Sequence, residues 1–152
     1  MKYISVQSEP FDEAAIGQRL GAGRSDIGAV VSFTGRVRDF SERSGVTGLS
    51  LEHYPGMTER VLEELVDHAM ERFNLSGAAI IHRVGTLAAG DDIVLVITLA
   101  AHRKDAFRGC EFLIDRLKTD APFWKKEHRG DAGHWVDERV PDQAASRRWE
   151  DS

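Results

Sequence analysis

Apolar positions alternate with polar ones at Ile4 and Val6, fill a β-branched-rich run from Ala29 to Thr34, and alternate again at Leu49 and Leu51. A period of two predicts strands at all three places. Between the first two, Ala15, Ile16 and Leu20 share one face of a short helix running from Asp12, a good N-cap, to Leu20, and Gly21, Gly23 and Gly28 punctuate its exit. From Thr58 the spacing becomes helical, with Val61, Leu62, Leu65, Val66, Ala69 and Phe73 on one stripe, Thr58 as the expected cap and Glu59 at the positive end. Two apolar runs follow, Ala78 to Val84 and Ile93 to Ala100, divided by Gly90 and Asp91, and read as paired strands. A second long helix carries the stripe Ala106, Phe107, Cys110, Leu113, Ile114 and Leu117, and Pro122 places its end near Thr119. Beyond Trp124 the pattern reads as loop from Glu127 to His134, with strand character returning at Trp135 and Val136. Helices interleaved with hairpin-like strands predict an α+β fold with mostly antiparallel strands and two long helices.

With 152 residues, 41% of them hydrophobic, the chain has material for one core, so residues 1–152 are expected to form a single domain, with a polar tail from about 141 that is mobile unless a partner holds it. The formal charge of -5, from 20 basic and 25 acidic residues, argues against a nucleic-acid partner. One cysteine excludes an internal disulfide and a four-cysteine zinc site. No apolar stretch reaches signal-peptide or membrane-span length, so the expectation is a cytoplasmic protein that engages no membrane.

Charge placement narrows the chemistry. Between His102 and Arg129 stand eight Lys or Arg residues against five acids, although the rest of the chain is acidic. His102, Arg103 and Lys104 follow a strand, Lys118 ends a helix, and Lys125 and Lys126 follow the Pro122-Phe123-Trp124 turn. Arg36 and Arg38 alternate along a strand exit and so point to one side, where guanidinium groups suit a phosphate. The ordinary reading of each cation alone is a solvated surface charge, and for Lys118 a helix C-terminal cation. Clustered at element ends, they predict an anion site in which Lys118 or Lys125 supplies an amine. Cys110 lies on an apolar stripe and reads as an inert thiol. The six histidines show no ligand spacing and there is no nucleotide loop, so no metal, ATP or NAD cofactor is expected. Phe123 and Trp124 read as core plugs, with stacking on a flat heterocycle as the other possibility.

Several blocks together resemble one family: Phe33-Thr34-Gly35-Arg36-Val37-Arg38, Leu51-Glu52-His53-Tyr54-Pro55-Gly56-Met57, His102-Arg103, Leu117-Lys118-Thr119, and Ala121-Pro122-Phe123-Trp124-Lys125-Lys126-Glu127. In this order and spacing, from about Gly28 to Trp149, they resemble the molybdopterin synthase large subunits, the MoaE family. The resemblance implies an α/β hammerhead fold and a homodimer within a heterotetramer. It also implies a small ubiquitin-like partner whose C-terminal Gly-Gly thiocarboxylate sulfurates cyclic pyranopterin monophosphate. On it, Lys118 and Lys125 match the catalytic lysines, and Arg38, His102 and Arg103 match pterin-pocket residues. Arg139 matches an arginine lent by the neighbouring large subunit, and Arg36 takes a lesser positioning role. The loops Asp39 to Gly45 and His128 to Gly133 depart from the family pattern. Two other readings compete: a non-catalytic scaffold binding an anionic pterin or a ubiquitin-like tail, and a Schiff-base lysine enzyme acting alone, for which no barrel pattern is present.

Overall fold

Two strands, β4 (Leu75–Arg83) and β6 (Asp92–Ala100), pair antiparallel at the centre of the molecule, and both are apolar on both faces. The computed structural model describes residues 1–38, 48–129 and 132–136 together with Arg147 and Trp149. Around the central pair the chain adds β1 (Lys2–Gln7), α1 (Glu13–Gly21), β2 (Ala29–Arg36), β3 (Gly48–His53), α2 (Met57–Arg72), β5 (Gly85–Leu87), α3 (Arg103–Asp120), β7 (Phe123–Arg129) and β8 (Ala132–Val136). The strands form two four-stranded sheets, in the orders β1-β4-β6-β2 and β5-β3-β7-β8. All described pairings are antiparallel except that of β1 with β4. This is an α+β fold.

The alternation of side chains assigns each face of the first sheet to its own cover. Ala78, Ile80, Val94, Val96 and Ala100 face α2 and α3, whose Leu62, Val66, Ala69, Phe112 and Leu113 complete the larger core. Ala79, Ile81, Leu95, Ile97 and Leu99 face the other way, onto Ile16 and Leu20 of α1. Both faces are therefore removed from water, which explains why these strands read as unbroken apolar runs. Thr98, fully buried on the helical face, donates its hydroxyl to the Ala106 carbonyl oxygen at 2.7 Å and so ties β6 to the first turn of α3.

Local chemistry explains most element ends. Asp12 caps α1, its carboxylate accepting from the Ala15 N–H at 3.2 Å. The expected cap of α2, Thr58, lies inside the helix instead. The N-cap is Gly56, at φ 86°, and the Glu59 carboxylate accepts from its N–H. The buried Thr58 hydroxyl closes the turn before it, donating to the Tyr54 carbonyl at 2.8 Å and accepting from the Tyr54 N–H at 3.1 Å. Ala121 is extended (φ -76°, ψ 136°), so α3 stops at Asp120, two residues before Pro122.

Sequence patterning was least informative at the C-terminal end. The stretch expected to be loop beyond Trp124 contains β7 and β8, a hairpin whose first strand pairs with β3 from Gly48↔His128 to His53↔Phe123. From Lys125 to Arg129 successive residues of that first strand are all polar, so the apolar alternation that marks a strand is missing there. β5, which interrupts the connection between β4 and β6, was likewise invisible as a separate strand, having only three residues. The tail expected from about 141 lies outside the described residues except at Arg147 and Trp149, and Trp149 is buried in the larger core. The loop at residues 39–45 also lies outside them.

Glycines give a direct test of the packing. Gly28 donates its N–H to the Ala100 carbonyl at 2.9 Å, and a Cβ there would collide with the Ala101 carbonyl oxygen. Gly17, inside α1, has open space where a Cβ would be. Urea unfolding should therefore show Gly28→Ala destabilised by about 2 kcal/mol or more, and Gly17→Ala stabilised by roughly 0.5 kcal/mol.

Candidate functional site

Strand direction decides which of the candidate cations meet. β2 runs antiparallel to β6, with Ala29 opposite Ala100 at one end and Arg36 opposite Asp92 at the other. α3 then runs back along β6, so its first residues lie at the Ala100 end and its last at the Asp92 end. Arg36, Arg38 and Lys118 consequently collect at one end of the first sheet, where the second sheet, carrying Lys125, adjoins it. His102 and Arg103 are at the opposite end. Along an α-helix the sixteen steps from His102 to Lys118 cover about 24 Å. The positive segment from His102 to Arg129 is thus not one pocket within a single chain, and Arg108 and Arg116 leave it for the aromatic rings of Phe73 and Phe112.

At the lysine-bearing end, Lys118 is an exposed residue in the last turn of α3 and Lys125 an exposed residue of β7, opposite Leu51 on β3. Arg36 and Arg38 are both exposed and flank the buried Val37, as alternation requires. Val37 packs with Leu49 and Leu87, so Arg38 leaves the first sheet where it meets the second. Arg36 pairs with Asp92 (Nε to Oδ1, 2.9 Å), with 72% of its side chain exposed, which makes it a weak surface pair and fits a positioning role. At the far end His102 is the N-cap of α3 and makes no side-chain capping bond, while Arg103 and Lys104 occupy the exposed first turn. Arg139 lies outside the described residues.

Beneath Lys125 sits a pair of histidines that charge patterning did not single out. His82, near the end of β4 and 9% exposed, stacks on Phe123 with ring centroids 3.9 Å apart and planes 20° from parallel. Its Nδ1 lies 2.9 Å from the Arg83 carbonyl oxygen and donates to it in the neutral tautomer. His53, the register partner of Phe123 on β3, lies 6.2 Å from it between centroids. His53 Nδ1 is buried with no hydrogen-bond partner among the described residues, 3.6 Å from a Glu59 carboxylate oxygen. Burial pushes the His82 pKa down from 6.5 to about 4, the bond to the Arg83 carbonyl opposes this, and the charges of Lys125 and His53 add to the depression. The available signal was a polar residue closing the apolar run Ile80-Ile81-His82. Phe123 packs against the larger core, while the half-buried Trp124 lies 4.7 Å from the exposed Tyr54 between centroids. Cys110 is buried, and desolvation, reinforced by Glu111, pushes its thiol up to about 12.

The profile of the MoaE protein family matches residues 6–120. A "Molybdopterin synthase catalytic subunit" of Ralstonia nicotianae is 52% identical over 149 residues, covering 98% of this chain and 85% of that one. The chain belongs to the MoaE family. A Vibrio cholerae protein of the same description is 51% identical over 147 residues, covering 97% of each. Among solved structures, a "Molybdopterin biosynthesis MoaE protein" from Burkholderia ambifaria superposes with a TM-score of 0.84 at 48% identity, covering 98% of both chains. In this MoaE-family chain the blocks carrying the resemblance thus fall on β2, on β3 and the turn into α2, on both ends of α3, and on β7.

The histidine pair yields a pH test. Between about pH 4 and 6.5 the unfolded chain binds a proton at His82 that the folded chain does not, so stability rises with pH across that window. Urea unfolding of the wild type should lose about 2 kcal/mol between pH 7 and pH 5 from this residue. His82→Phe should lose correspondingly less over the same interval.

Proposed function

We propose that this chain is the catalytic subunit of a molybdopterin synthase. It transfers sulfur from the C-terminal thiocarboxylate of a small ubiquitin-like subunit to cyclic pyranopterin monophosphate, forming the dithiolene of molybdopterin. The observation that carries this reading is near-full-length identity of about half the residues with proteins described as catalytic subunits of that enzyme. A protein called the catalytic subunit implies a second subunit, and the sulfur comes from it, because the only thiol of this chain is buried and held protonated.

The roles are those the family resemblance implies, and position supports them. Lys118 meets the carbonyl of the incoming tail, and Lys125 stands across the Pro122 turn from it. Two ammonium groups at that end stabilise the oxyanions of acyl transfer and assist proton movement as the cyclic phosphate opens. Arg38 and, less directly, Arg36 attract the phosphate. His102 and Arg103 lie about 24 Å away along α3, too far for one pterin to touch them and Lys118 in the same chain. They serve the lysine-bearing end of a second copy, so the homodimer is the smallest complete catalyst, as the resemblance already implies for Arg139. The lone reduced cysteine supports a cytoplasmic setting, and no described helix is long and apolar enough to cross a membrane.

Purified chain mixed with thiocarboxylated small subunit should convert cyclic pyranopterin monophosphate to molybdopterin. Lys118→Ala should lose about a hundredfold or more in kcat with the complex still forming. No product from an assembled wild-type complex would leave the scaffold reading in its place. Sharing of sites makes a further prediction: a dimer mixed from Lys118→Ala and Arg103→Ala chains should recover activity at one of its two sites. Mixed dimers as inactive as either parent would place the whole site in one chain.

A further inference from the structure

His82 stands where the two sheets and the end of α3 meet. Phe123, on which it stacks, is the first residue of β7 and lies between the two lysines, five positions after Lys118 and two before Lys125. The turn it ends is tight, with the Phe123 N–H donating to the Ala121 carbonyl oxygen at 2.8 Å. Phe123 and Lys125 share one face of β7, as residues two apart on a strand must. Their partners on β3, His53 and Leu51, share that face too. The His82 ring is thus the floor against which the segment linking Lys118 to Lys125 is seated.

We infer that His82 is a positioning residue of the sulfur-transfer reaction: its neutral ring, stacked on Phe123, fixes Lys125 relative to Lys118. This deepens the reading of function given above and rests on it. The ring does two things that an aliphatic side chain does not. It offers a flat surface that sets the height and tilt of Phe123, and hence the direction in which Lys125 leaves the strand. It is also held by its bond to the carbonyl of the next residue, Arg83, which fixes the orientation of the ring at the end of β4. A ring that stays uncharged at neutral pH places no second cation under the Lys125 ammonium. A displacement of about 1 Å at a reacting group is enough to lower kcat severely without changing how tightly substrate is held.

Two substitutions separate this role from mere support of the fold. His82→Phe keeps a flat ring against Phe123 and gives up the bond to Arg83. His82→Asn keeps an N–H at the Nδ1 position and gives up the ring. Both lose stability, one by removing the imidazole donor from the Arg83 carbonyl and the other by leaving a gap. In the assembled complex with thiocarboxylated small subunit, His82→Phe should keep kcat within about threefold of wild type. His82→Asn should lose roughly tenfold or more in kcat, with KM for the pterin and affinity for the small subunit unchanged. Phe123→Leu should lose a similar factor, and the double variant with His82→Asn should be no worse than either alone, because one stack is removed in all three. Unchanged kcat in His82→Asn, equal losses in the Asn and Phe variants, or multiplying losses in the double variant would overturn the proposal. An inactive wild-type complex would instead count against the reading of function itself.

Discussion

The antiparallel pairing of β4 with β6 is the constraint from which the rest of the architecture follows. From Ala78 to His82 and from Val94 to Ala100 almost every side chain is apolar and almost every one is buried, so neither face of this ribbon tolerates water. One face demands α2 and α3, the other demands α1, and the two flanking strands protect its edges. Charged residues are left only the ends of the ribbon. Hence the candidate cations sit on strand exits and helix termini, His102-Arg103 at one end and Lys118 with Arg36 and Arg38 at the other.

How much of this was legible in the sequence depends on which physical signal each element carries. α2 and α3 are long enough for a helical stripe to repeat several times, and the Ala29 to Thr34 and Ile93 to Ala100 runs are apolar enough to stand out. β7 was hidden because Lys125, Lys126, Glu127 and His128 follow one another without an apolar alternate. Such a strand is made by its neighbour β3, a partner 70 or more positions away in the register, and not by its own pattern. The cap of α2 was misplaced by two residues because Thr58 is an excellent capping residue by type. The Pro55-Gly56 turn, closed by the same hydroxyl, starts the helix first.

The site residues divide in the same way. Lys118, Lys125, Arg36 and Arg38 are candidates by residue type and element position, and topology brings them to one end. The separation of His102 and Arg103 from them was implicit in the length of α3, since a helix that begins and ends with candidate residues carries them apart by its whole length. His82 and Trp149 were not found because each is a polar or mixed side chain whose surroundings, not its identity, give it a part. Trp149 is held edge-on by Phe73 and Phe112. It donates its indole N–H to Asp115 at 2.6 Å and accepts from Arg72 at its carbonyl. A tail residue thereby becomes core, one turn of α3 away from Lys118.

Cys110 acquires a meaning beyond packing. Once the thiocarboxylate sulfur has bonded to the pterin, the small subunit is held to it by a thioester, and an accessible thiolate nearby would attack that acyl carbon, expel the pterin thiolate and leave the small subunit as a dead-end thioester on the enzyme in place of its release by water. The chain has a single thiol, seated between α3 and the first sheet and protonated far above neutral pH. Its chemical silence leaves the acyl group of the carrier to water, so turnover in this fold is protected partly by the nucleophile it withholds.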